Sequence, residues 1–410
     1  MHQTFPSANE EGSGRPYDFA KQLVDDGHQV TIIAGGFSYL HGGKVAEGTK
    51  GLFLRREKHP AGFTVLRPWS YRGYHGSYFT RLITFISYMF TSLITALFAG
   101  RFDVIVGATP PLSVAIVAWL AAGLKRSLFV FEVRDLWSEV AIHLGFIKNR
   151  LLIQLARLVE KTLYRSAKKI VINSPGFRPH LESLGLPASK IELVPNGVDL
   201  EVFRPGLDGG GIRRQFGLEG KIVGVYTGSL GMANDIDTIL AAAEMGRDQG
   251  LAFMLVGEGK DGGRLRSLCR QKNLDNVIFT GPQKKQRVPL FLAAADAGVV
   301  TLLDIPLFKT VYPNKVFDTM ACGRPLLLLV DGVAREVLEK AGAGIFVPPG
   351  DAEKLVQAMV WLRENKQESA AMGNRGRLFV EKYFDRWKCA LHMERCLLSV
   401  CKEFAPGARN

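Results

Sequence analysis

Six short apolar runs alternating with helical patterns limit this chain's folding options more than any other feature. The runs occupy 222–227, 252–257, 276–281, 297–303, 325–330 and 344–348. Helix-period segments follow them at about 235–248, 261–273, 286–295, 314–322, 333–342 and 351–365. Strands alternating with helices of this length predict right-handed crossovers and a parallel sheet. Gly228, Gly257 and Gly281 stand at strand ends, and open α/β sheets bind ligands beyond those carboxyl ends. The first half alternates too: helix 15–26, strand 28–34, an irregular region to 70, helix 77–99, strand 103–108, helix 111–124 and strand 127–134. Helix 150–166, strand 169–173, helix 177–185 and strand 190–195 complete it. At 410 residues, two doubly wound, Rossmann-like α/β domains are expected.

Charge narrows the partners. The net charge is +13, from 52 basic and 39 acidic residues; residues 1–195 hold 23 and 14, hence +9, and the remainder 29 and 25, hence +4. A basic half suits nucleic acid, anionic lipid or a phosphorylated substrate. The chain has no basic recognition helix, RNA-binding signature or zinc spacing, so no nucleic acid partner is expected. Cys269, Cys322, Cys389, Cys396 and Cys401 form no CxxC pair and read as reduced thiols. The polar N-terminus lacks a secretory signal, and together these predict a cytoplasmic protein.

Residues 313–331 carry the most chemistry. A short helix opens at Asn314-Lys315, holds Asp318 one turn in and stops at Gly323, before Pro325 and the apolar run Leu326 to Val330. A helix start offers unpaired N–H groups and a positive dipole end, which suit phosphate. A carboxylate one turn deeper is placed to accept from ribose hydroxyls. The same pattern also fits an ordinary αβ unit with a solvated aspartate.

The stretch resembles the nucleotide-sugar signature of the family 4 retaining glycosyltransferases of GT-B fold. That signature is a Glu, seven residues, a second Glu, then Ala-Met-Ala-x-Gly-x-Pro; here Asp318 takes the second place and Thr310 the first. The Pro-Asn-Lys-Val-Phe-Asp form is similar to a branch that builds bacterial surface polysaccharides, including N-acetyl-L-fucosamine transferase-like enzymes. The likeness runs along nearly the whole chain. It implies two Rossmann-like domains facing across a cleft, at 1–199 and 200–382, with a helix over 383–410 packing back on the first.

The resemblance also assigns roles to several loops. Gly12-Ser13-Gly14-Arg15 matches a Gly-Gly-x-x-Arg loop facing the donor diphosphate. Gly228-Ser229-Leu230-Gly231 matches the loop beside the donor, and Gly257-Glu258-Gly259 lines the nucleoside pocket. Relatives carry an Arg and a Lys soon after the first of these. Met232-Ala233-Asn234-Asp235 offers neither, so neutralisation is expected from Arg15, Lys315 or Lys284-Lys285-Arg287, with Lys315 favoured. Glu132-Val133-Arg134-Asp135-Leu136-Trp137-Ser138 is similar to an Arg-Asp-Leu-Trp-Pro string at the cleft. Asp135 is the candidate for the acceptor hydroxyl and its base, with Ser138 for Pro loosening the turn. Asn196-Gly197-Val198-Asp199 closes the first domain in the family, and the glycines of 206–211 then read as a flexible connector.

In the family an apolar strand precedes the first glycine loop. Only Met1 to Phe5 precede Pro6 here, which leaves an incomplete start or a short substitute strand. Residues 82–99 carry no charge, and Thr84, Ser87, Thr91 and Thr95 form a hydroxyl stripe. This is short for a membrane span. Aromatics and cations precede it: Trp69, Tyr71, Arg72, Tyr74, His75, Tyr78, Phe79 and Arg81. A helix docked on an anionic inner membrane is therefore expected, ahead of a core helix.

The resulting expectation is a metal-independent, cofactor-free retaining enzyme. It would move sugar from a nucleoside diphosphate sugar, UDP-linked by preference, to a polyprenyl-diphosphate-linked glycan. O-antigen or capsule synthesis would be its setting, at the inner face of the membrane. The rivals are a nucleotide-sugar epimerase on the same fold and a non-catalytic GT-B scaffold.

Overall fold

The computed structural model describes residues 1–2, 5, 14–35, 54–71, 78–143, 145 and 148–404. It forms two compact units, Met1–Pro195 with Trp387–Asn410, and Asn196–Arg386. The divisions therefore fall at Pro195 and Arg386, beside the expected 199 and 382.

The first unit runs α1 (Arg15–Asp25), β1 (Thr31–Ile33), β2 (Leu54–Lys58), β3 (Thr64–Pro68), α2 (Tyr78–Phe98), β4 (Val104–Ala108), α3 (Leu112–Lys125) and β5 (Leu128–Val133). Then come α4 (Trp137–His143), α5 (Arg150–Ser166), β6 (Lys169–Ile172), α6 (Arg178–Ser183) and β7 (Ile191–Leu193). Among the described residues its strands form two sheets, β1-β3-β2 and β4-β5-β6-β7. β2 and β3 form an antiparallel pair inside the stretch expected to be irregular. Every second residue of β2 is exposed and most are charged (Leu-Arg-Arg-Glu-Lys), so no apolar alternation marks it. Where an incomplete start or a short substitute strand was expected, His2 makes a lone parallel bridge to Ala34. The Met1 ammonium donates to Val106 O at 2.6 Å. Beside them lies a cavity of about 480 Å³, lined by Thr31–Ile33 of β1 and Val104–Val106 of β4.

The second unit continues with α7 (Gly210–Gln215), β8 (Ile222–Thr227), α8 (Ile236–Met245), β9 (Leu251–Val256), α9 (Gly262–Gln271), β10 (Val277–Gly281) and α10 (Val288–Ala294). Next are β11 (Ala297–Thr301), α11 (Asn314–Ala321), β12 (Leu326–Leu329), α12 (Val333–Ala341), β13 (Gly344–Phe346), α13 (Ala352–Glu364) and α14 (Lys366–Tyr383). Its six strands are all parallel in the order β10-β9-β8-β11-β12-β13. The winding reverses between β8 and β11, and that is where open sheets of this kind open a crevice for ligands. Apolar layers cover both faces: Val223, Val225 and Phe317 on one, Tyr226, Ile239 and Phe253 on the other.

One sequence expectation here needs correction. The glycines of 206–211 are no flexible connector, because Gly210 and Gly211 begin α7. Gly209 is buried so tightly that a Cβ there would lie 2.4 Å from Ala294 Cα. The last helix, α15 (Arg386–Phe404), packs Cys389, Met393, Cys396 and Val400 with Phe19, Val130, Val171 and Val194 of the first unit.

Candidate nucleotide-sugar site

Four loops meet at the carboxyl edge of the second sheet, on either side of its winding reversal. After β8 the chain passes Gly228 with φ 141°, and after β9 it passes Gly257 with φ 149°. A Cβ at Gly257 would lie 1.8 Å from Gly228 O, and one at Gly259 would lie 2.3 Å from Leu230 O. Leu230 N donates to Glu258 O at 3.2 Å, and Asp261 N returns to Leu230 O at 3.0 Å. The glycines are thus needed where two backbones nest against each other. Gly257→Ala should destabilise the fold by about 1–3 kcal/mol and weaken UDP binding with it. Urea unfolding and calorimetry measure the two, and an unchanged midpoint would remove this account.

The third loop leads into α11. Its N-cap is Pro313, and no side chain caps the first turn, so the opening N–H groups are available to an anion. Asn314 is exposed, with Oδ1 accepting from Asn196 Nδ2 at 2.7 Å. Lys315 turns towards β8. Its Nζ donates to Tyr226 Oη at 2.8 Å and to Asn234 Oδ1 at 3.0 Å, and lies 4.1 Å from the Tyr226 ring centre. Tyr226 Oη in turn donates to Ser229 O at 2.8 Å. The ammonium stands 3.6 Å from where a Cβ on Gly228 would be. A cation absent from the Met232–Asp235 loop is therefore supplied to that loop's side of the crevice by α11. These partners are neutral, and burial pushes Lys315 down to about 7.

Asp318 follows one turn later. Burial pushes its carboxyl up to about 6, against the opposing charges of Lys285 and Arg386 and aided by Asp199. Arg386 Nη2 donates to Gly197 O at 3.0 Å, so the Asn196–Asp199 string forms the fourth loop of this cluster. Lys315 and Asp318 thus sit on one helix, the cation short of anions and the carboxyl displaced towards its neutral form. A ligand offering a diphosphate to the first and hydroxyl donors to the second would relieve both.

Other expected site residues go elsewhere. Leu230 is fully buried, so it offers backbone alone. Glu258 pairs with Arg266 at the surface, and that bond holds its carboxyl below the usual range. Gly12 lies outside the described residues, and Gly14 precedes α1 in extended conformation. Arg15 is held in the interior: Nε donates to Glu132 at 2.6 Å, Nη1 to Pro195 O, and the guanidinium stacks on Phe19, while Nη2 has no hydrogen-bond partner among the described residues. Burial alone would raise Glu132, but Arg15 and Arg134 hold it down to about 2. This pair ties α1 to β5 in the interior. Thr310 donates to Leu307 O at 2.6 Å.

Asp135 follows β5 in the first unit. Its backbone carbonyl accepts from Thr109 Oγ1 at 3.4 Å, and burial pushes its carboxyl up to about 6 although Arg134 opposes this. Ser138 starts the buried part of α4, near the Glu160 carboxyl of α5, which burial raises. Tyr226, Asn234, Asp199 and Arg386 are the members of the second-unit cluster that sequence reading missed or gave no contact. Tyr226 sits inside an apolar strand run, so no pattern set it apart.

Residues 15–197 match the glycosyl transferase 4-like domain and residues 221–365 the glycosyl transferases group 1 domain. The chain is 24% identical over 350 residues to a protein of Escherichia coli (strain K12) named as the colanic acid biosynthesis glycosyl transferase WcaI, covering 83% of this chain and 85% of that one. It is 25% identical over 252 residues to the O-antigen chain mannosyltransferase C of Escherichia coli, with 61% and 66% covered. Among solved structures, the sucrose-phosphate synthase of Thermosynechococcus elongatus superposes with a TM-score of 0.76 at 18% identity, covering 97% of this chain and 98% of that one. Anabaena Alr3699/HepE in complex with UDP gives 0.71 at 19%, with the same 97% and 98%. At such identities the structural likeness speaks for the fold. The two domain matches, one to each Rossmann-like unit, together make this chain a family 4, group 1 glycosyltransferase of GT-B fold.

Proposed function

We propose that the enzyme moves a sugar from a UDP-linked donor to a polyprenyl-diphosphate-linked glycan in surface polysaccharide synthesis, with retention at the anomeric carbon. The observation that carries this is Lys315, which extends from the start of α11 to Tyr226 and Asn234 beside the Gly228 turn. With the helix start, it would stabilise the departing diphosphate electrostatically. Asp318 would accept from the ribose hydroxyls, and Asp135 would meet the acceptor hydroxyl and take its proton. No nucleophile is assigned. UDP in the HepE complex and the polysaccharide names of WcaI and mannosyltransferase C favour this donor and setting. The Pro-Asn-Lys-Val-Phe-Asp form favours an amino sugar of the N-acetyl-L-fucosamine kind.

A lipid-linked acceptor places the enzyme on the anionic inner face of the membrane, with Trp69 to Ala99 as a contact. Among the described residues no helix is long and apolar enough to cross a membrane. UDP release from UDP-sugar donors, with and without lipid-linked acceptor, tests the reading. Acceptor-stimulated release is expected; a sugar isomerised without release would mean an epimerase, and no release or isomerisation would mean a scaffold. Asp318→Ala should weaken UDP binding by about 1–3 kcal/mol, the range for a hydrogen bond to a charged group. Unchanged affinity by calorimetry would take the ribose role from it.

A further inference from the structure

α2 turns hydroxyls inward and several large apolar side chains outward. Its hydroxyl stripe is buried: Thr91 Oγ1 donates to Trp69 O at 2.6 Å and Ser92 bonds back along the helix to Met89 O. Tyr88 and Ala96 are buried with it, but part of the helix's apolar surface faces out, with Ile86 56% and Phe90 67% exposed. α3 packs between α2 and α5, and Leu124 near its end is likewise exposed. The outward face of α5 continues the layer, with Leu151 75%, Leu155 56% and Leu158 62% exposed. At 3.6 residues per turn these three leucines fall within an arc of about 60°. Arg150, Arg157, Lys161 and Arg165 lie along one flank of that ridge, Arg157 also pairing with Glu139 at 3.0 Å. The helix's sole acid, Glu160, is buried.

A leucine ridge beside a row of cations is the arrangement of helices that lie in a bilayer interface, apolar face among acyl chains and cations among anionic headgroups. Exposed apolar residues clustered on neighbouring helices mark an interaction site. We infer that the outward face of α2, α3 and α5 docks on an anionic lipid bilayer, with α5 as its charged edge. This deepens the membrane reading above and rests on it, moving the contact from the aromatic stretch before α2 to a three-helix face. The choice of lipid over a second copy of the chain follows from the cation row, since two such rows would repel across a symmetric interface.

Sedimentation of the full chain with phosphatidylcholine vesicles, with or without about a third phosphatidylglycerol, tests the docking without any sugar substrate. Leu151→Gln/Leu155→Gln/Leu158→Gln should weaken binding to the anionic vesicles roughly tenfold or more. Arg150→Gln/Lys161→Gln should remove much of the preference for anionic over neutral vesicles. Ile86→Gln/Phe90→Gln should weaken binding in the same way from the other helix. All these side chains face outward, so melting temperature and UDP affinity should stay as in the parent. Three results overturn the inference: a parent that binds no vesicles, a leucine variant that binds as the parent does, or a leucine variant whose only change is loss of a dimer by ultracentrifugation. Vesicle binding by a parent that releases no UDP would leave the docking standing and fell the transfer reading alone.

Discussion

Lys315→Met should slow sugar transfer by about a hundred- to a thousandfold, as loss of one preorganised donor to a departing anion does, while making the protein more stable at pH 7. The two effects share a cause. Burial among neutral partners pushes Lys315 from 10.5 down to about 7, so the folded state binds its proton less well than the unfolded chain. Between about pH 7 and 10.5 the unfolded state holds more protons, and stability from this group rises with pH. It is lost as pH falls through 7, and below that the full cost of a buried ammonium is carried. Methionine removes that cost and keeps most of the side chain's length. The melting temperature of Lys315→Met should therefore exceed the parent's at and below pH 7, with the gap closing towards pH 10. A diphosphate would restore the proton on binding, so UDP affinity of the parent should fall as pH rises above about 7, and that of the variant should lose this dependence. Scanning calorimetry and titration calorimetry across pH measure both. A variant that melts lower and binds UDP normally would make Lys315 a strut between α11 and β8.

The second unit was readable because its chemistry is local. Each strand of a parallel sheet covered on both faces is an unbroken apolar run, and β8, β9, β11 and β12 are fully buried along their length. The start of α11, with Asn314, Lys315 and Asp318, was equally legible, because caps and turns are written in consecutive residues. What sequence could not give was contact at a distance. Arg15 follows glycines as a phosphate-binding arginine would, yet its partner is Glu132, 117 residues on. Gly206 to Gly211 has the composition of a linker, but Gly209 lies against α10 because the backbone there leaves no room for a side chain. α14 has a polar surface and was passed over. Its Gly373 and Gly376 are buried, and a Cβ on Gly373 would meet Gly323 O at 2.1 Å. In each case glycine or arginine was chosen by a neighbour remote in the chain, and local pattern carries no trace of that choice.

Asp135→Asn should depress transfer by about a hundred- to ten-thousandfold, the range for loss of a general base, and leave UDP affinity nearly unchanged. The side chain keeps its size and much of its hydrogen bonding, so the loop between β5 and α4 should hold its form. Burial raises the Asp135 carboxyl to about 6. As the acceptor's base it must be ionised, so the parent's rate should climb as pH rises through about 6. kcat/KM for the donor should decline above about 7, where Lys315 of the free enzyme loses its proton, giving a narrow bell in that ratio. Asp318, also near 6, contributes to the acid limb through donor binding, so the two carboxyls are separated by what each substitution moves. Asp318→Ala should change UDP affinity, and Asp135→Asn should change the rate at saturating donor and flatten the acid limb. Asp135 and Lys315 belong to different compact units, which makes independent effects on acceptor and donor the natural expectation. Loss of UDP binding in Asp135→Asn, with circular dichroism unchanged, would contradict the division of labour. Near-normal transfer would instead leave Asp135 as a partner of Arg134, with the acceptor's proton going to another group.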